Sequence, residues 1–232
     1  MISAQHIKKT FGKLQVLDDI SLEIHQAGIV AILGPNGSGK TTFLKILLGM
    51  VIPDAGEMYY QNQNISKSHL YRKFIGYLPQ IARFPDNLTV SEIIGMIADV
   101  RNEPSDPERL VQLFGVGKFL DKKLGNLSGG TRQKVNIVLT FMFDTPVIVL
   151  DEPTAGLDPV ALIKLKELIY QEKAKGKIIL ITSHIMSLVE ELADEVVFLL
   201  EGSIYFQGTI TELKSKTATE DLEHAIATIL EP

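Results

Sequence analysis

Ile29-Val30-Ala31-Ile32-Leu33 runs straight into Gly34-Pro35-Asn36-Gly37-Ser38-Gly39-Lys40-Thr41, and Thr42-Phe43-Leu44-Lys45-Ile46-Leu47-Leu48 follows with apolar residues at helical spacing. The order is buried strand, glycine-rich loop, helix, which is what a phosphate-binding P-loop requires. Glycines let the backbone fold close around phosphate oxygens, so successive N–H groups and the helix N-terminus can point at the anion. Lys40 can then reach the β- and γ-phosphates, and the Thr41 hydroxyl can sit on Mg²⁺. Gly34 through Thr42 are therefore the candidate nucleotide-binding residues, and the stretch predicts a chain that binds a nucleoside triphosphate.

Working outward, strands are expected on the N-terminal side. Ile2 to Phe11 and Val16 to Ile24 contain short alternating stretches separated by a turn at Gly12-Lys13. After the P-loop helix, Gly49 and Pro53-Asp54-Ala55-Gly56 break the chain. A short strand at Glu57 to Tyr60, a polar stretch from Gln61 to Ser68 and a buried strand at Ile75-Gly76-Tyr77-Leu78 come next. From Thr89 to about Phe143 the apolar spacing turns helical, with Pro104, Pro107, Gly115 and Gly117 as punctuation. Strands return at Val147 to Leu150 and Ile178 to Ile181, bracketing a helix from about Pro159 to Lys175. Such alternation implies parallel strands covered by helices. Val196 to Leu200 and Ser203 to Gln207 form a hairpin through Glu201-Gly202, and two short helical pieces end the chain.

Composition narrows the class. With 232 residues, 45% hydrophobic and 22% charged, the chain suits one large domain or a domain with a subdomain. A net charge of −5 argues against a protein that works by coating nucleic acid or anionic membrane. The absence of cysteine excludes disulfides and thiolate-held metals. Met1 to His6 shows no charged region followed by an apolar one, and no apolar run reaches the length needed to span a bilayer. A soluble, cytoplasmic chain is expected.

Two further stretches carry chemistry. Asp151-Glu152 ends an apolar strand, and a carboxylate at the C-terminal tip of a parallel strand lies where ligands sit in such sheets. In P-loop NTPases such an Asp holds Mg²⁺, and the neighbouring Glu152 can orient and deprotonate an attacking water. Ser128-Gly129-Gly130, at the start of a helix, presents N–H groups and a hydroxyl suited to an anion.

Taken with Leu127, Gly156-Leu157-Asp158 and Ser183-His184, these residues resemble the ATP-binding cassette (ABC) ATPases over essentially the whole chain. Leu127-Ser128-Gly129-Gly130 is similar to the family's Leu-Ser-Gly-Gly-Gln signature, with Thr131 in place of Gln. The resemblance implies an α/β fold of the ABC type, a mainly parallel sheet core with an N-terminal antiparallel β-subdomain and an inserted helical subdomain. The implied division is a nucleotide-binding core of 1–80 and 147–208, a helical subdomain of 81–146 and a helical tail of 209–232. It also implies that Gln80 links Mg²⁺ and the attacking water to the helical subdomain. Asp158 then lies at a dimer seam, His184 meets the γ-phosphate, and Phe11 stacks on adenine, although Phe11 also suits a core or strand-edge position.

By the same resemblance, two cassettes, in a homodimer or with a related chain, sandwich two ATP molecules head to tail. Ser128 of one then meets the phosphates held by the other. Membrane-spanning transporter subunits are the expected partners, placing the chain peripherally on the cytoplasmic face. Ile81, Phe84, Pro85, Leu88 and Val90 form an apolar cluster suited either to docking or to subdomain packing. The chain ends soon after its last hairpin, and Thr219-Glu220-Asp221-Leu222-Glu223 resembles the tail of export-type cassettes, which favours export. The alternative is a cassette for a soluble machine such as iron–sulfur cluster assembly.

Overall fold

The computed structural model describes residues 1–66 and 68–231; Lys67, within the polar stretch after Tyr60, and Pro232 lie outside the described residues. The chain forms two compact units, one of Met1–Arg72 with Ile178–Pro232 and one of Lys73–Lys177.

The first unit holds two sheets. One has the order β2-β1-β4-β5, all antiparallel, from β1 (Ile2–Phe11), β2 (Leu14–Ile24), β4 (Ala55–Tyr60) and β5 (Gln63–Asn64). In the other, β3 (Gly28–Leu33) runs parallel between β8 (Ile178–Thr182) and β9 (Glu195–Leu200), with β10 (Ser203–Thr209) antiparallel on β9. Every residue of β3 is buried, the mark of a strand covered on both faces. Ile32 pairs with Thr182 and Leu33 with Phe198, so the three parallel strands end together at one edge. Helices α1 (Lys40–Leu47), α6 (Met186–Leu192), α7 (Ile210–Thr217) and α8 (Leu222–Leu230) belong to this unit. Phe43, Leu47 and Phe198 are fully enclosed, each worth about 1.5–3 kcal/mol relative to exposure.

The second unit pairs β6 (Ile75–Leu78) in parallel with β7 (Val147–Asp151). Its helices are α2 (Val90–Arg101), α3 (Pro107–Phe114), α4 (Gly129–Phe141) and α5 (Pro159–Ala174). Thr89 and Glu92 form a reciprocal capping box that starts α2, and Asp106 followed by Pro107 starts α3. Helical residues thus occupy only parts of the expected block from Thr89 to Phe143: α2 ends at Asn102 and α3 at Gly115, both left-handed, and Gly117 opens a short 3-10 turn. Along α5, Ala161, Leu165, Leu168 and Ile169 face inward, and Glu172 falls on the same stripe. Its carboxylate is buried against Lys177 at 2.5 Å and Lys175 at 2.7 Å, so the buried charge is paired.

Three local elements differ from the sequence reading. The polar stretch after Tyr60 contains β5, a 3-10 turn spans Leu70–Phe74, and α6 follows His184. In the apolar cluster after Gln80, Val90 is core at 0% exposure and Ile81 is 67% exposed, so the five residues are not one surface.

Candidate functional site

In the first unit the P-loop leaves the buried β3 and enters α1. Gly34 has φ 143° and Gly39 φ 101°, both in the left-handed half of backbone space. A Cβ on Gly34 would collide with the Leu199 carbonyl and would sit 2.7 Å from Ser38 Oγ. One on Gly39 would collide with the Leu17 side chain and lie 2.8 Å from the Val16 carbonyl. Only glycine fits at these two ends of the loop, so the sequence requirement is steric as well as conformational.

The donors converge on the same turn. Lys40 is buried, and its ammonium donates to the Gly34 carbonyl at 2.7 Å and the Pro35 carbonyl at 2.9 Å. Ser38 Oγ is buried and, among the described residues, has no hydrogen-bond partner. A buried hydroxyl in that state is costly unless a ligand or water satisfies it. Among the described residues no side chain caps α1, and no acidic residue stands in its first turn, which suits an anion at that helix end. Thr41 is exposed and Thr42 half-buried on the first turn. His184 follows Ser183, immediately beyond β8, the strand beside β3, and is exposed. Sheet register therefore brings His184 and the P-loop out at the same edge. Phe11 ends β1 at 50% exposure, with the Lys9 ammonium 5.2 Å from its ring centre, which excludes a core position.

In the second unit Asp151 ends β7 at 4% exposure, and Glu152 follows with φ 50°. A left-handed non-glycine residue costs on the order of 1–3 kcal/mol and persists where its surroundings enforce it. The Tyr77 phenol, on β6, is pushed up to about 12 by burial and then by the Asp151 charge. Gln80 is exposed just past β6 and lines a cavity of about 320 Å³ with Ile81, Gly129, Arg132, Gln133 and Gly156.

Ser128 caps α4, accepting from the Thr131 N–H at 3.3 Å and sharing a 2.9 Å hydrogen bond with the Thr131 hydroxyl. Thr131 thus fixes the capping hydroxyl from a position where Gln was expected. A Cβ on Gly129 would meet nothing within 4 Å, whereas one on Gly130 would press to 2.6 Å on the Gly156 carbonyl. Asp158 caps α5 through the Ala161 N–H at 2.9 Å and pairs with Lys134 at 2.6 Å. The Lys134 bond first, and the backbone bond second, hold its carboxyl below the usual aspartate range. Sequence reasoning missed Gln133 and Asn136, two amides on α4 buried at 5% and 3% exposure. Only their spacing of three, which shares a helix face, hinted at a common task.

A family model described as ABC transporter matches residues 17–155. The chain belongs to the ABC transporter family. It is similar to the lantibiotic transport ATP-binding protein SrtF of Streptococcus pyogenes, 31% identical over 96% of this chain and 94% of that one. It is also 32% identical to the lipopolysaccharide export system ATP-binding protein LptB of Escherichia coli, over 91% of this chain and 92% of that one. A solved structure of an ATP binding subunit of an ABC transporter matches with a TM-score of 0.92 at 27% identity, covering 100% of each chain. Within the ABC family the chain is an α/β ATP-binding subunit that hydrolyses ATP to drive transport. The iron–sulfur assembly alternative finds no support among these relatives. No helix among the described residues is long and apolar enough to cross a membrane.

Proposed function

We propose that this ABC ATPase works as one of two paired cassettes on the cytoplasmic face of a membrane, powering export through separate membrane-spanning subunits. The observation that carries the nucleotide site is the P-loop cradle. Two glycines whose Cβ positions are blocked, a buried lysine and an unsatisfied buried hydroxyl surround one turn of backbone. Gly34 to Thr42 would bind the triphosphate, with Lys40 as the charged donor, and Phe11 would stack on adenine.

The oxygen donors Thr41, Gln80 and Asp151 suit Mg²⁺, a hard cation. When bound, it would neutralise phosphate charge. Glu152 would accept the proton of the attacking water, and Gln80 and His184 would orient the water and the γ-phosphate. Ser128, Gly129 and Gly130 would complete the site of the partner cassette, with Asp158 at the seam between the two. The exposure of Ser128 and the open space beside Gly129 favour that reading. Export is supported by the similarity to an export-system subunit. Core residues 1–80 and 147–208, a helical subdomain of 81–146 and a tail of 209–232 are the proposed functional division.

The test of the partner is co-purification from membranes with affinity-tagged chain in ATP and Mg²⁺. A polytopic membrane protein in constant ratio with the chain is expected. Recovery of the chain with soluble proteins alone would overturn the transport reading.

A further inference from the structure

The two buried amides of α4 join two irregular pieces of backbone. Asn136 Nδ2 donates to the Pro79 carbonyl at 3.2 Å and to Gln133 Oε1 at 3.5 Å. Gln133 Nε2 donates to the Pro153 carbonyl at 3.0 Å. A continuous chain of hydrogen bonds therefore runs from the residue before Gln80 to the residue after Glu152. One helical turn further along, the Thr140 hydroxyl donates to the Tyr77 carbonyl at 3.1 Å and the Asn136 carbonyl at 2.9 Å. α4 begins at Ser128 and Gly129, so the helix that carries the signature also holds both backbones.

A helix that only packs against strands is served as well by apolar residues, since buried amides are unfavourable unless bonded. Here the amides end on loop carbonyls rather than on strand backbone already paired in a ladder. One of these carbonyls belongs to the residue next to the left-handed Glu152, whose φ of 50° needs enforcement from outside. A Cβ on Gly130 would press to 2.6 Å on the Gly156 carbonyl, so the start of the same helix lies close against the far side of this loop.

We propose that Gln133 and Asn136 are positioning residues that transmit the placement of the signature helix to Gln80 and Glu152. This rests on the reading of Glu152 as proton acceptor and Gln80 as the residue that orients water. Movement of α4 on engagement of Ser128 would shift both carbonyls together, so the hydrolytic groups are set only when the signature is seated. Neither amide belongs to the P-loop, so nucleotide affinity does not depend on them.

The test uses the full chain with ATP and Mg²⁺, comparing wild type, Gln133→Met, Asn136→Asp and the double variant. ATP affinity should stay within about twofold, while kcat falls about tenfold or more at little-changed KM, since a misplacement of about 1 Å can cost about 10²-fold. The double variant should be no worse than the poorer single one, because either break opens the same relay. Wild-type kcat in the single variants would overturn the proposal. Multiplicative losses that track the melting temperature would also overturn it, since packing then explains them. Should Gln133→Met not fold, Gln133→Glu replaces one donor by an oxygen and decides the same question. Absence of turnover in the wild type would instead count against the hydrolytic assignment itself.

Discussion

Replacing Lys40 with alanine removes the ammonium on which the P-loop closes. In the structure that group is buried and makes charge-assisted bonds of 2.7 and 2.9 Å to the Gly34 and Pro35 carbonyls. Lys40 is the first residue of α1, and these bonds already hold its charge at the loop, which lowers the ordering cost when phosphate arrives. Hydrogen bonds to charged groups contribute about 1.5–3 kcal/mol each. Loss of two such bonds to the β- and γ-phosphates amounts to about 3–6 kcal/mol, or about 10²–10⁴-fold in affinity. The fold should survive, because the two carbonyls lie in the loop and not in the β3 ladder. Calorimetric titration with ATP and Mg²⁺ measures the first effect, and a thermal melt verifies the second. A folded Lys40→Ala variant that binds ATP within threefold of wild type would refute the phosphate role of this loop.

Two other substitutions probe separate parts of the account. Ser128→Arg should abolish hydrolysis while leaving ATP binding by the single chain intact, and mixing it with excess Lys40→Ala chain should restore one competent site. Heterodimers that form without regaining activity would contradict a site shared between cassettes. Tyr77 supplies a pH test. Its folded pKa is raised to about 12, by burial and then by Asp151, so the folded state holds the phenolic proton more tightly than the unfolded chain. Its contribution is fully present below about pH 10 and is lost as pH rises towards 12. Denaturant melts of Tyr77→Phe should lack that alkaline component, and an identical loss in both proteins would remove Tyr77 as its source.

The parts of the site legible in the sequence are those where local chemistry fixes the residue. Gly34 and Gly39 mark a backbone that no other residue can follow, and Asp151 ends a strand whose five residues are all buried. Ser128 was legible as a hydroxyl at a helix start suited to an anion, whereas its capping of the Thr131 N–H is seen only in the structure. Gln133 and Asn136 were not, because a polar residue in a helix reads as solvated until its tertiary partner is known. Their partners lie 20 and 57 residues away in sequence. The left-handed backbone of Glu152 was hidden too, since glutamate carries no local preference for that conformation. Val90 shows the limit of apolar clusters: the capping box at Thr89 turns it into the core, whereas Ile81 stays outside.

Turnover by Glu152→Gln tests the central claim most directly. The amide preserves shape and removes the proton acceptor, and loss of a general base costs about 10²–10⁴-fold in rate. The account predicts ATP affinity near wild type, phosphate release slowed by that factor, and an ATP-dependent dimer on gel filtration in Mg²⁺. Wild-type phosphate release by the folded Glu152→Gln chain would contradict it.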